Sequence, residues 1–189
     1  MISTIPSSVR QGDCGARGAD VRVACEVPRT KLGIRDHLRR IGEEDGWTRF
    51  QGELYGPGMV HAEPFPHVVE TLWALKEAGV ELVVISHRTR FPYLGERHDL
   101  HAFAKDWVRT RLPSVFSSIA FHETKADKVA DIRGTACNYF LDDLPEILAD
   151  KGFPDETVGI LFAPNGLRDS WTGSFIDSWS ALRPLVGIQ

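Results

Sequence analysis

From residue 64 to residue 186, stretches with helical periodicity alternate with short, almost continuously apolar runs, and nothing else in the 189 residues restricts the fold so strongly. "PFPHVVETLWALKEAGV" sets Val68, Val69, Leu72 and Leu75 on one helical face and stops at Gly79. "VELVVIS" follows, ending at Ser86. A run apolar at nearly every position suits a strand covered on both faces, as in a parallel sheet. A second helix over 99–111 turns Leu100, Phe103, Trp107 and Val108 inward, and "SSIAF" (117–121) is the next strand. The helix "KADKVADIRG", a strand running into Asp142, the Pro-initiated helix "PEILADKG", the strand "TVGILF" (157–162) and a last helical piece around "SWSALRPLV" complete the series. Such alternation predicts an α/β fold, a doubly wound, Rossmann-like parallel sheet. Ligands of such sheets bind beyond the carboxyl ends of the strands.

The rest of the chain is less regular. Residues 1–20, rich in Ser, Gly and charge, carry neither period and are expected to be poorly ordered. "VRVACEV" (21–27) alternates like a short strand, and "TKLGIRDHLRRIGEEDG" spaces Leu32, Ile34, Leu38 and Ile41 as a helix. "WTRFQGELYGPGM" (47–59) mixes aromatics with glycines and Pro57 and is expected to be irregular, with Trp47, Phe50 and Tyr55 packing rather than stacking on a ligand. Residues 28–63 thus read as a small, mainly helical cap inserted into a single domain spanning 21–189, and 42% hydrophobic content is enough for one such core.

Charge and cysteines narrow the function. A net charge of −4 and a pI near 6.0, with the basic residues dispersed, argue against nucleic acid or an acidic membrane as partner. No run of eighteen apolar residues occurs, and "MISTIPSSVRQG" lacks the apolar stretch of a secretory signal. The three cysteines, Cys14, Cys25 and Cys137, match neither a disulfide framework nor a zinc motif, so a reducing, cytoplasmic setting is expected. The seven histidines include no H-E-x-x-H pair, and zinc is not expected. Oligomeric state leaves no signature.

"NYFLDDLPEI" carries the chemistry. It drives an apolar run into two adjacent carboxylates, Asp142 and Asp143, which repel each other unless a cation, donors or water compensate them. Ser86 closes another strand, and Lys125 opens the helix that precedes Asp142, with Lys128 one turn further on as its rival. A hydroxyl and an ammonium suit phosphate oxygens, and the carboxylates suit Mg²⁺. His87, Arg88 and Arg90 in "SHRTR" are further cations that fit a phosphate or carboxylate, or a solvated loop equally well. For the acidic pair the bland reading is a cap on the Pro145 helix.

This order resembles the haloacid dehalogenase (HAD) superfamily: a Ser or Thr after an apolar strand ("LVVIS"), then a Lys (Lys125 or Lys128), then an acidic pair ("FLDD"). The resemblance covers residues 80–147 and implies a HAD-like sheet with a cap, Mg²⁺ as cofactor, a small phosphorylated substrate or ligand, Ser86 and Lys125 as catalytic residues and Asp142 and Asp143 as metal ligands. HAD hydrolases open with an apolar strand ending in D-x-D, whose first Asp attacks phosphorus and whose second is general acid and base. That motif is missing; if "VRVACEV" takes its place, Cys25 and Val27 stand where the aspartates belong, and neither suits Mg²⁺. Three explanations follow: a mis-called or frame-shifted start, a natural pseudoenzyme that binds a phosphorylated ligand or a partner, or thiol chemistry at Cys25. Under each, this polypeptide is expected to be an impaired phosphohydrolase. A receiver domain uses similar residues, but there the acidic pair comes first in the chain. A non-catalytic module for phosphate, metal or protein interaction is the alternative outside enzymes.

Overall fold

The computed structural model describes residues 31–166, 168 and 170–188. The expected poorly ordered segment 1–20, the "VRVACEV" strand, Cys14, Cys25 and the first residues of the cap lie outside the described residues. In chain order the elements are α1 (Lys31–Arg40), α2 (Glu44–Tyr55), a 3-10 turn (Pro57–His61), α3 (Val68–Glu77), β1 (Val83–His87), α4 (Leu100–Arg111), β2 (Ser118–His122) and α5 (Lys125–Thr135). Then come β3 (Tyr139–Asp142), α6 (Pro145–Leu148), β4 (Val158–Phe162), β5 (Ser174–Ile176), a second 3-10 turn (Trp179–Ala181) and α7 (Leu182–Leu185). The chain is therefore mixed α/β, with all its described strands paired in parallel. They form two small sheets, β1-β2 and β3-β4-β5.

The described chain divides into two compact units, one made of Pro64–Arg88 with everything from Arg109 onward, the other of residues 31–63 with Thr89–Val108. In the first unit, β1 and β2 run in register from Val83 opposite Ser118 to His87 opposite His122, and β3 pairs with β4 from Tyr139 opposite Val158 to Asp142 opposite Leu161. Helix α5 packs on both β1 and β2. It starts where the sequence chemistry says a helix should: the Thr124 hydroxyl accepts from the Asp127 amide at 3.1 Å, and Asp127 puts a carboxylate in the positively polarised first turn. Its buried stripe, Lys128, Val129 and Ile132, meets Ile85 of β1, Phe140 of β3, Ile147 and Leu148 of α6 and Leu161 of β4 in one apolar cluster. One core thus serves strands from both sheets. The short β5 is an addition to the expected elements, since three residues between Gly173 and Asp177 are too few to show a period.

The second unit has its own small core of Ile34, Leu38 and Trp47, with Phe50 against it. The expected helix 30–46 is interrupted: α1 ends at Arg40, Gly42 takes a positive φ of 78°, and α2 begins at Glu44. The segment 47–59, expected to be irregular, is helical to Tyr55. Its glycines act as contact points rather than breaks, because a Cβ on buried Gly52 would lie 2.9 Å from the Pro92 side chain. Trp47 and Phe50 stack at 6.0 Å between centroids, one turn apart on the same face. The unit also takes in residues 89–108, beyond the cap bounds of 28–63. There Asp99 accepts from the Ala102 amide at 3.0 Å, which with the Arg90 guanidinium holds its carboxyl below the usual range, and the buried Trp107 indole donates to the Ala62 carbonyl at 2.8 Å. Among the described residues no helix is long and apolar enough to cross a membrane.

Candidate functional site

Alternation along β3 buries Phe140, leaves Leu141 half-covered and returns Asp142 to the interior, where it is 0% exposed. A carboxylate with no access to water must be paired. The answering cation is Lys128, equally buried, whose Nζ donates to Asp142 Oδ2. The other oxygen, Oδ1, accepts from the Leu144 amide at 3.0 Å, an Asx-type turn that bends the chain out of the strand and into α6. Burial pushes the Asp142 carboxyl above the ordinary range; Lys128 pulls it back by charge and hydrogen bond, and neighbouring Asp143 pushes it up again. The Lys128 ammonium also lies 5.6 Å from the centroid of the Phe140 ring.

The other predicted site residues are placed separately, and no contact joins Ser86 or Lys125 to this pair among the described residues. Asp143 is half-buried, and among the described residues no hydrogen bond or ion pair engages its carboxylate. Ser86 is half-buried in β1, in register with Phe121 one residue before the end of β2. Lys125 does not reach Asp142. At the exposed start of α5 it pairs with Glu146 of α6 at 2.9 Å, and its hydrogen bond holds the Glu146 carboxyl below the usual range. Lys128, the rival in the sequence, is the lysine that the structure brings to the acidic pair.

Helix α5 ties these positions to one end of the fold. It begins three residues after β2 ends, so its first turn stands by the carboxyl ends of β2 and of its register partner β1. Lys128 lies only four residues past the N-cap Thr124, about 6 Å along the axis, and from there it touches the carboxyl end of β3. The cations of "SHRTR" are otherwise engaged: the His87 ring meets the Glu123 carbonyl at 3.1 Å, Arg88 lies over Phe121, and Arg90 pairs with Asp99. His122 and Asp131, which the sequence did not mark, pair at 2.7 Å between β2 and α5. No model of a known protein family matches the chain, and no curated protein is significantly similar to it.

Proposed function

We propose that the chain is a HAD-like phosphohydrolase scaffold, with a doubly wound sheet, that binds a divalent cation and a small phosphorylated ligand, and that its hydrolytic step is impaired. The observation that carries this reading is the fully buried Lys128–Asp142 pair at the end of β3. A buried ion pair is a poor way to gain stability, because apolar residues of the same volume do as well or better, so its presence at a strand end speaks for a polar task at that spot. The donor set fits Mg²⁺: among the described residues nothing engages the Asp143 carboxylate, Asp142 stands beside it in the chain, and Mg²⁺ favours one or two carboxylates with water and phosphate oxygens completing its shell. When bound, the ion would neutralise phosphate charge. Lys128 orients the Asp142 carboxylate and favours its ionised form against the push of burial, and in this reading the Ser86 hydroxyl donates to a phosphate oxygen. The sequence contains no D-x-D, so the attacking carboxylate and its acid–base partner are absent from the described set. The non-catalytic alternative draws on the same fact, together with the full engagement of both Asp142 oxygens. A cytoplasmic setting belongs to the same proposal and rests on the dispersed cysteines.

Titration with inorganic phosphate in the presence of Mg²⁺, alongside hydrolysis of a generic phosphate monoester, tests the reading. Binding that requires Mg²⁺ and is weakened about tenfold or more by Asp143→Asn, with turnover near background, is expected. Turnover abolished by Asp142→Asn would make the chain a competent enzyme instead. Absence of any phosphate or Mg²⁺ binding would remove the proposal.

A further inference from the structure

Three ligand-type side chains converge in the second unit. Glu53 comes from the last turns of α2, while Glu96 and His98 come from the loop before α4, and the nearest donor atoms of the three all lie within 4.8 Å of one another. His98 Nε2 stands 3.2 Å from Glu53 Oε1 and 3.8 Å from Glu96 Oε2. Tetrahedral coordination at metal–ligand bonds of about 2.0–2.1 Å needs edges of ~3.4 Å, so these two separations already bracket the required spacing.

The imidazole is held ready rather than swinging free. Its ring sits edge-on to Phe103 at 6.0 Å between centroids, and it packs so tightly on Gly56 that a Cβ there would lie 3.1 Å from His98 Cβ and Cδ2. Its side chain is only 13% exposed, whereas Glu96 is 78% exposed. A hydrogen bond between Glu53 and His98 accounts for two members of the group. Glu96 joins them from the same tight turn, where the His98 amide donates to the Glu96 carbonyl at 2.9 Å, so the loop backbone holds the second carboxylate beside the same nitrogen. We propose that Glu53, Glu96 and His98 bind a divalent transition metal of the Zn²⁺ or Co²⁺ class, with water in the fourth position, and that the metal clamps the 89–99 loop onto α2. Two carboxylates cancel the charge of such an ion, and the imidazole selects it over Mg²⁺, which wants oxygen donors throughout.

The full chain, free of any affinity tag, titrated with Co²⁺ tests this through the visible d–d absorption of four-coordinate cobalt. One Co²⁺ per chain with a tetrahedral spectrum, lost in His98→Gln and weakened about tenfold or more in Glu96→Gln, is the expected result. Glu96→Gln alters an exposed side chain and keeps the experiment readable if His98→Gln perturbs the loop. A spectrum unchanged by both substitutions, or no tetrahedral cobalt at all, overturns the site. Neither result bears on phosphate binding at Asp143, which lies in the other unit.

Discussion

Lys128→Ala should lower the folding free energy by about 3–5 kcal/mol, because it leaves the Asp142 carboxylate buried without its cation. The substitution removes the downward pull on that carboxyl while the upward push of burial and of Asp143 remains, so Asp142 in the variant titrates still higher. A group whose folded value exceeds its unfolded value favours the folded state at low pH and opposes it once pH has risen through the folded value. The deficit is therefore greatest at neutral pH and shrinks as the solution is acidified into the carboxyl range. Urea unfolding at several pH values reads both features. Exchanging the pair together, Lys128→Met with Asp142→Leu, should recover most of the loss, since a matched apolar pair needs no counter-charge. Lys125→Ala is the contrast: its partner Glu146 is half exposed, so the cost stays within about 0.5–1 kcal/mol. That small loss has the opposite pH dependence to a raised carboxyl, being present above the unfolded Glu146 value and gone as pH falls through the depressed folded one. A Lys128→Ala variant within 1 kcal/mol of the parent would mean, on the usual scale for buried pairs, that the pair is solvated.

Trp47→Ala is expected to cost about 3–5 kcal/mol as well, for a purely apolar reason. Trp47 is the largest member of a core whose other members, among the described residues, are Ile34, Leu38 and part of Phe50, so the cavity it leaves has few described neighbours able to collapse into it. The loss should be local. Hydrogen exchange ought to accelerate across α1 and α2 while the amides of β1, β3 and β4, which belong to the other core, keep their protection. Uniform acceleration through both cores would show that the two fold as one cooperative body.

What was legible in the sequence follows the physics of each element. Helix α3, strands β1 to β4 and helix α5 stand out because burial on one face or on both imprints a period, as Val68, Leu72 and Leu75 or "LVVIS" show. Helix α2 hid because Gly52, inside 47–59, reads as a breaker locally, yet it serves the approach of Pro92 from a segment that no local window contains. Asp142 was marked by its position after an apolar run, and its burial explains why. Lys125 attracted attention by opening the helix, but the signal for Lys128 was its place on the stripe with Val129 and Ile132, where a solvated lysine has no reason to be. Glu53 with Glu96 and His98 was invisible as spacing, since more than forty residues separate the helix from the loop that completes the group.

The pairing of a divalent ion with the strand ends can be read directly by NMR with Mn²⁺, which accepts the oxygen ligands of Mg²⁺ and broadens nearby amides. In a His98→Gln chain, where the second-unit cluster is disabled, Mn²⁺ with inorganic phosphate should broaden the amides of Ser86, His87, Asp143 and Leu144 before any others. Sharp signals at those four positions under saturating Mn²⁺ would contradict the account.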